Sequence, residues 1–135
     1  MLKTDLHTHT SFSRCGTHTY LEVLNVSREN GVELVAITDH GPASGGRMSN
    51  VFLTNKRFPK EYKGMQILKG IEANLTGLDG STDIPTRLLS ALDIVLIGLH
   101  PTPFKNEGAE KNTSALLKAL DRFPAIDAVT HPDLC

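Results

Sequence analysis

Glu33-Leu34-Val35-Ala36-Ile37-Thr38-Asp39-His40 holds an uninterrupted apolar run, 34–37, and closes on a histidine. A strand with one wet face alternates apolar and polar residues. An uninterrupted run reads instead as a strand covered on both faces, the habit of parallel sheets. The pattern recurs, with further strands expected near 2–7, 66–72, 93–99 and 125–130. Helix signals lie between the runs. Thr19-Tyr20-Leu21-Glu22 is a capping box, Leu21, Leu24 and Val26 follow its cap, and Gly31 is a stop. Ser49 or Asn50 starts a second helix that Pro59 ends, and a short helix fits Pro85 to Leu92. In 113–123, Leu116, Leu117, Leu120 and Phe123 share one face before Pro124. Residues 73–84 read as irregular, with Asp79-Gly80 as a hairpin-type turn. Strand and helix in alternation predict a parallel α/β sheet with right-handed crossovers.

With 135 residues, 39% of them hydrophobic, 1–135 is expected to form one domain. Phe52, Leu53 and Phe58 are expected in its core. Fourteen Lys+Arg against fifteen Asp+Glu give a net charge of -1, which argues against nucleic acid as a partner. No apolar run approaches the roughly 18 residues of a membrane span, and the start has no signal-peptide core. Cys15 and Cys135 make no disulfide framework, which favours a reducing cytoplasm.

The chemistry lies where the runs end, on His7, His40, Glu72, His100 and His131. These residues are spaced close to one βα unit apart, so each unit delivers one metal-ligand residue to the same sheet edge. Any one of them alone would be an ordinary polar residue; in phase they point to a metal site. His7-Thr8-His9 adds a second imidazole on one side of the first strand, with Asp5 there to orient a ring. A carboxylate at the end of a buried strand needs cations or several donors, and Glu72 can bridge two ions. His18 stands in the loop before the first helix. Cys15-Gly16-Thr17-His18 has no second Cys/His pair to complete a zinc finger, so Cys15 is set aside as a ligand. Asp39 is expected to support the site or cap a helix rather than bind metal. Arg14, Arg47 and Lys105 lie in loops that follow strands, and Arg14 and Arg47 are the candidates to meet an anionic substrate. Gly41–Gly46 lacks the Gly-Lys-Ser/Thr ending of a phosphate loop, and Ser11 and Ser44 read as loop serines.

Asp5-Leu6-His7-Thr8-His9-Thr10, Ile37-Thr38-Asp39-His40-Gly41-Pro42, Gly70-Ile71-Glu72-Ala73-Asn74, Gly98-Leu99-His100 and Thr130-His131-Pro132 together resemble the polymerase and histidinol phosphatase (PHP) family, most nearly its small stand-alone bacterial phosphatases. The resemblance implies a partial, distorted seven-stranded βα barrel, here about five parallel strands with four crossover helices. It also implies a trinuclear site, usually zinc, sometimes manganese or iron. By position, His7, His9 and Glu72 would hold one ion; Glu72 would bridge to a second held by His100 and His131; His18 and His40 would hold the third. Glu72, His7 and His9 would carry the catalytic role. The implied activity is hydrolysis of a phosphate monoester by a metal-activated water, with a small phosphorylated substrate.

The family completes its site with an Asp-x-His pair beyond the equivalent of His131, and no such pair follows His131 here. The chain is therefore expected to be the N-terminal portion of a longer protein, with open sheet edges through which it self-associates. Two rival functions follow: a metal-binding domain without turnover, and a nuclease or proofreading module.

Overall fold

The computed structural model describes residues 3–47 and 55–132. Its six strands are β1 (Thr4–Thr8), β2 (Leu34–Ile37), β3 (Glu61–Tyr62), β4 (Met65–Asn74), β5 (Ile94–Gly98) and β6 (Ala128–Thr130). Five of them form a parallel sheet in the order β1-β2-β4-β5-β6, curled into an open half-barrel. The short β3 adds an antiparallel pairing to β4 that the sequence pattern did not announce, since two residues carry no periodicity. No helix among the described residues is long and apolar enough to cross a membrane.

Helix α1 (Tyr20–Glu29) starts at the expected capping box: Thr19 accepts from the Glu22 N–H while the Glu22 carboxylate accepts from the Thr19 N–H. Gly31 follows it at φ 77°, the left-handed turn that closes such helices at least cost for glycine. A short helix, α2 (Thr86–Leu89), links β4 to β5. Helix α3 (Ala109–Arg122) begins four residues before the expected 113. Its buried residues are Asn112, Ala115 and Ala119, and Phe123 is buried just beyond its end, while Leu117 is 56% exposed. The small alanines let the helix lie close to the sheet, which turns Leu117 outward. The second expected helix falls largely on 48–54, with Phe52 and Leu53, outside the described residues. Residues 55–59 are not helical, and Phe58 is buried there.

Two apolar layers sit between the sheet and its helices. One joins Ile71, Ala73, Val95 and Ile97 to Leu88, Ala115 and Ala119. The other joins Val35, Ile37 and Ile67 to Leu24 and Phe58. Ala36, Ile94 and Leu96 form a third cluster on the opposite face. Burial on both faces is why the runs do not alternate. Strand β4 runs two residues past the expected end at 72, so Glu72 lies within it, paired with Leu96 of β5 on one side and bridged to His40 on the other.

Candidate metal centre

Strand register explains how distant residues meet. The Glu72 N–H donates to the Asp39 carbonyl at 3.0 Å and the Gly41 N–H to the Glu72 carbonyl at 2.8 Å, which sets His40 directly beside Glu72. His100 follows β5 by two residues and His131 follows β6 by one. His131 has φ 25°, an uncommon conformation for a non-glycine residue, and its Nε2 lies 2.8 Å from Glu72 Oε1. On β1, one extra residue enters the pairing with β2 between Asp5 and Thr8. Asp5 Oδ1 accepts from the His7 backbone N–H at 3.2 Å, so it holds the main chain at that irregularity rather than the expected ring.

Glu72 is the hub. Its side chain is fully buried. Oε2 lies 2.9 Å from His40 Nδ1, 3.2 Å from His7 Nε2 and 3.4 Å from His9 Nε2. Oε1 lies 3.5 Å from His100 Nε2 and accepts from the Thr130 hydroxyl at 2.7 Å. Despite these approaches, Oε2 and His40 Nδ1 have no aligned hydrogen-bond partner among the described residues, and both ring nitrogens of His100 are likewise buried and unpaired there. Buried polar atoms are almost always paired, so lone pairs converging without a donor mark a place for a cation. His7 Nε2 and His9 Nε2, 3.0 Å apart, face one another across the same space.

The charge state agrees. Burial pushes the Glu72 carboxyl upward, but the close approach of the His100, His40 and His7 rings and the Thr130 hydroxyl outweighs it and holds the group well below the usual carboxylate range. Burial, with His40 adjacent, pushes His9 down to about 4, so its imidazole is neutral at pH 7, as a ligand must be. The bond to Glu72 raises His7 despite burial. Divalent ions fit this donor set of imidazoles around one carboxylate.

A support network lies behind the ligands. Asp39, fully buried, accepts from the Thr10 N–H at 2.7 Å, the Thr10 hydroxyl at 2.7 Å and the Ser13 hydroxyl at 2.6 Å. Since the Ser13 proton goes to Asp39, Ser13 Oγ is an acceptor for the His40 N–H at 2.9 Å and for His9 Nδ1–H at 3.2 Å. That fixes the His9 tautomer and leaves Nε2 with its lone pair aimed at Glu72. Asp39 thus has the supporting role its position suggested. The parts played by Ser13 and Thr130 are not legible in the pattern, because the first depends on the path of a loop and the second on the register of β6 across the sheet. Asp39→Ala would strand three donors; at 1–3 kcal/mol for each buried unpaired group, the expected loss is about 3 kcal/mol or more, read as a lower urea midpoint.

His18 is not brought to the cluster. Its carbonyl accepts from the Ser11 N–H at the neck of the loop, its Nδ1 lies 3.3 Å from Thr17 Oγ1, and it lines a depression with Thr8, Glu22 and Val26. The loop's tip folds back instead. Among the described residues, three groups of side chains have ligand atoms within 4.8 Å of one another: His7, His9 and Glu72; His40, Glu72 and His100; and His9, Cys15 and His40. Arg14 and Arg47 are exposed on adjoining loops, joined where the Arg47 N–H donates to the Phe12 carbonyl at 2.7 Å. Lys105 instead pairs with Glu107 at 2.8 Å.

The chain is similar to known proteins. A probable phosphatase of Caldanaerobacter subterraneus is 39% identical over 130 residues, covering 95% of this chain and 51% of that protein. A probable phosphatase of Acetivibrio thermocellus is 38% identical over 129 residues, and one of Shewanella oneidensis 39% identical over 129. The chain spans about half the length of the curated relatives it matches. The PHP domain pattern matches residues 5–122, most of the chain, and with the order of its motifs this places the chain in the PHP domain family.

Proposed function

We propose that this chain carries the metal-binding portion of a phosphatase that hydrolyses small phosphate monoesters in the cytoplasm. The observation that carries the reading is Glu72: a fully buried carboxylate ringed by imidazoles, with one oxygen near three ring nitrogens and aligned with none. His7, His9 and Glu72 would hold one ion and Glu72, His100 and His131 a second, zinc being favoured by the imidazole-rich set. Divalent ions so held supply Lewis-acid polarisation of a phosphoryl oxygen and a water nucleophile at neutral pH. The chain's own residues do the rest. Ser13 keeps the His9 Nε2 lone pair directed inward, Thr130 fixes the rotation of the Glu72 carboxylate, and Arg14 and Arg47 offer charge to the phosphate's outer oxygens.

The test is hydrolysis of p-nitrophenyl phosphate and of single-stranded DNA by protein stripped with chelator and reloaded with zinc or manganese. Metal-restored turnover of the monoester is expected. Bound metal without turnover would support the non-catalytic alternative, and turnover of DNA alone the nuclease.

A further inference from the structure

The third side-chain group, His9, Cys15 and His40, is the unexpected one. We infer that Cys15 is a thiolate ligand of this centre, pairing with His40 at its rim; the inference rests on the metal-binding reading above.

The loop is built to return the thiol. The Ser13 N–H donates to the Thr10 carbonyl at 2.9 Å and the Gly16 N–H to the Ser13 carbonyl at 3.2 Å, a tight double turn. A Cβ on Gly16 would lie 1.9 Å from the Thr10 carbonyl oxygen, so the backbone packs too closely there for any other residue. Ser13 itself binds Asp39 and the His40 N–H, which ties this loop to the end of β2. The outcome is a sulfur that, with one nitrogen each from His9 and His40, lies in a set no wider than 4.8 Å.

Tetrahedral zinc with bonds near 2.0 and 2.3 Å places its ligand atoms roughly 3.3–3.6 Å apart. Cys15 is exposed, so its side chain can close that difference by rotation without disturbing the core. Both histidines of the group also approach Glu72 Oε2, which like His40 Nδ1 is buried and without a hydrogen-bond partner among the described residues. His9 belongs both to this group and to that with His7 and Glu72, so it is the ligand the two positions share or compete for. A soft thiolate biases the rim position toward zinc and against manganese or magnesium, which prefer oxygen donors. It also makes this position sensitive to thiol oxidation.

The experiment is cobalt(II) loading of stripped protein, followed by absorption spectroscopy and elemental analysis of the same samples. The expected result is a near-ultraviolet thiolate-to-cobalt charge-transfer band that Cys15→Ser abolishes and His18→Ala leaves in place. Cys15→His should keep the wild-type cobalt content without the band. Cobalt bound at wild-type content with no such band, or with a band that survives Cys15→Ser, overturns ligation by Cys15 and leaves the His/Glu centre intact. No cobalt bound at all overturns both. Zinc should also protect Cys15 from alkylation in the wild-type chain, and equal labelling with and without zinc would count against the assignment.

Discussion

Glu72→Gln should weaken zinc binding at both positions together, by about 100-fold or more. Loss of an outer partner of a metal ligand already costs 10–100-fold, and Glu72 is proposed as a direct ligand whose charge two ions share. The amide keeps the shape of the side chain but carries no charge. It also turns an N–H₂ donor toward nitrogens whose lone pairs should face a cation. The Thr130 hydroxyl and His131 Nε2, at 2.7 and 2.8 Å from Oε1, would hold whichever end of the amide suits them, so the fold should survive. His131→Ala, in contrast, removes one imidazole from one side of the carboxylate. Zinc titration should therefore show two weakened sites in Glu72→Gln and one in His131→Ala. Equal loss of one ion in each would argue that Glu72 does not bridge.

Residues 1–135 prepared as an isolated chain should self-associate, and should turn over phosphate esters about 100-fold more slowly than a chain extended to the length of its relatives. Among the described residues β1 and β6 are the two edges of the sheet, and an edge strand presents a row of backbone groups that can pair with another chain. Near β1 the surface is apolar as well: Leu6 is 41% exposed, and on α1 Leu21 and Val26 are 53% and 52% exposed. An open edge beside apolar side chains is a template for another copy. The kinetic expectation follows from position. Of the imidazoles around Glu72, His7 has most solvent access, at 34% of its side chain, and small misplacements of reacting groups cost on the order of 100-fold. Light-scattering mass and p-nitrophenyl phosphate turnover of the two chains provide the comparison. A monodisperse monomer with undiminished turnover from 1–135 would contradict the expectation.

The sheet was legible because burial on both faces writes itself as unbroken apolar runs, and Leu34–Ile37 and Ile94–Gly98 fall within the runs expected. The meeting of His7, His40, Glu72, His100 and His131 at one edge was legible for the same reason: parallel strands end together, so residues one βα unit apart become neighbours. What the pattern could not carry was anything decided by a loop's path. His18 and Cys15 are three residues apart, and the choice between them depends on the double turn at Thr10–Gly16, which periodicity does not encode. Cys15 was set aside for want of a nearby Cys/His pair, while its neighbours come from the ends of two different strands. On α3 the expected face holds at Leu116 and Phe123, while Leu117 turns outward and the smaller Ala115 and Ala119, which weigh less in a hydrophobicity pattern, are among the buried residues of the helix.

The most direct test of the central claim is the zinc content of the wild-type chain after chelator stripping, reloading and removal of unbound metal. The His/Glu cluster around Glu72 predicts between one and two tightly held ions per chain, with the stripped protein regaining them near pH 7. A chain that retains no zinc after reloading would contradict the account, because Glu72 would then be a buried carboxylate that its histidines alone keep neutralised.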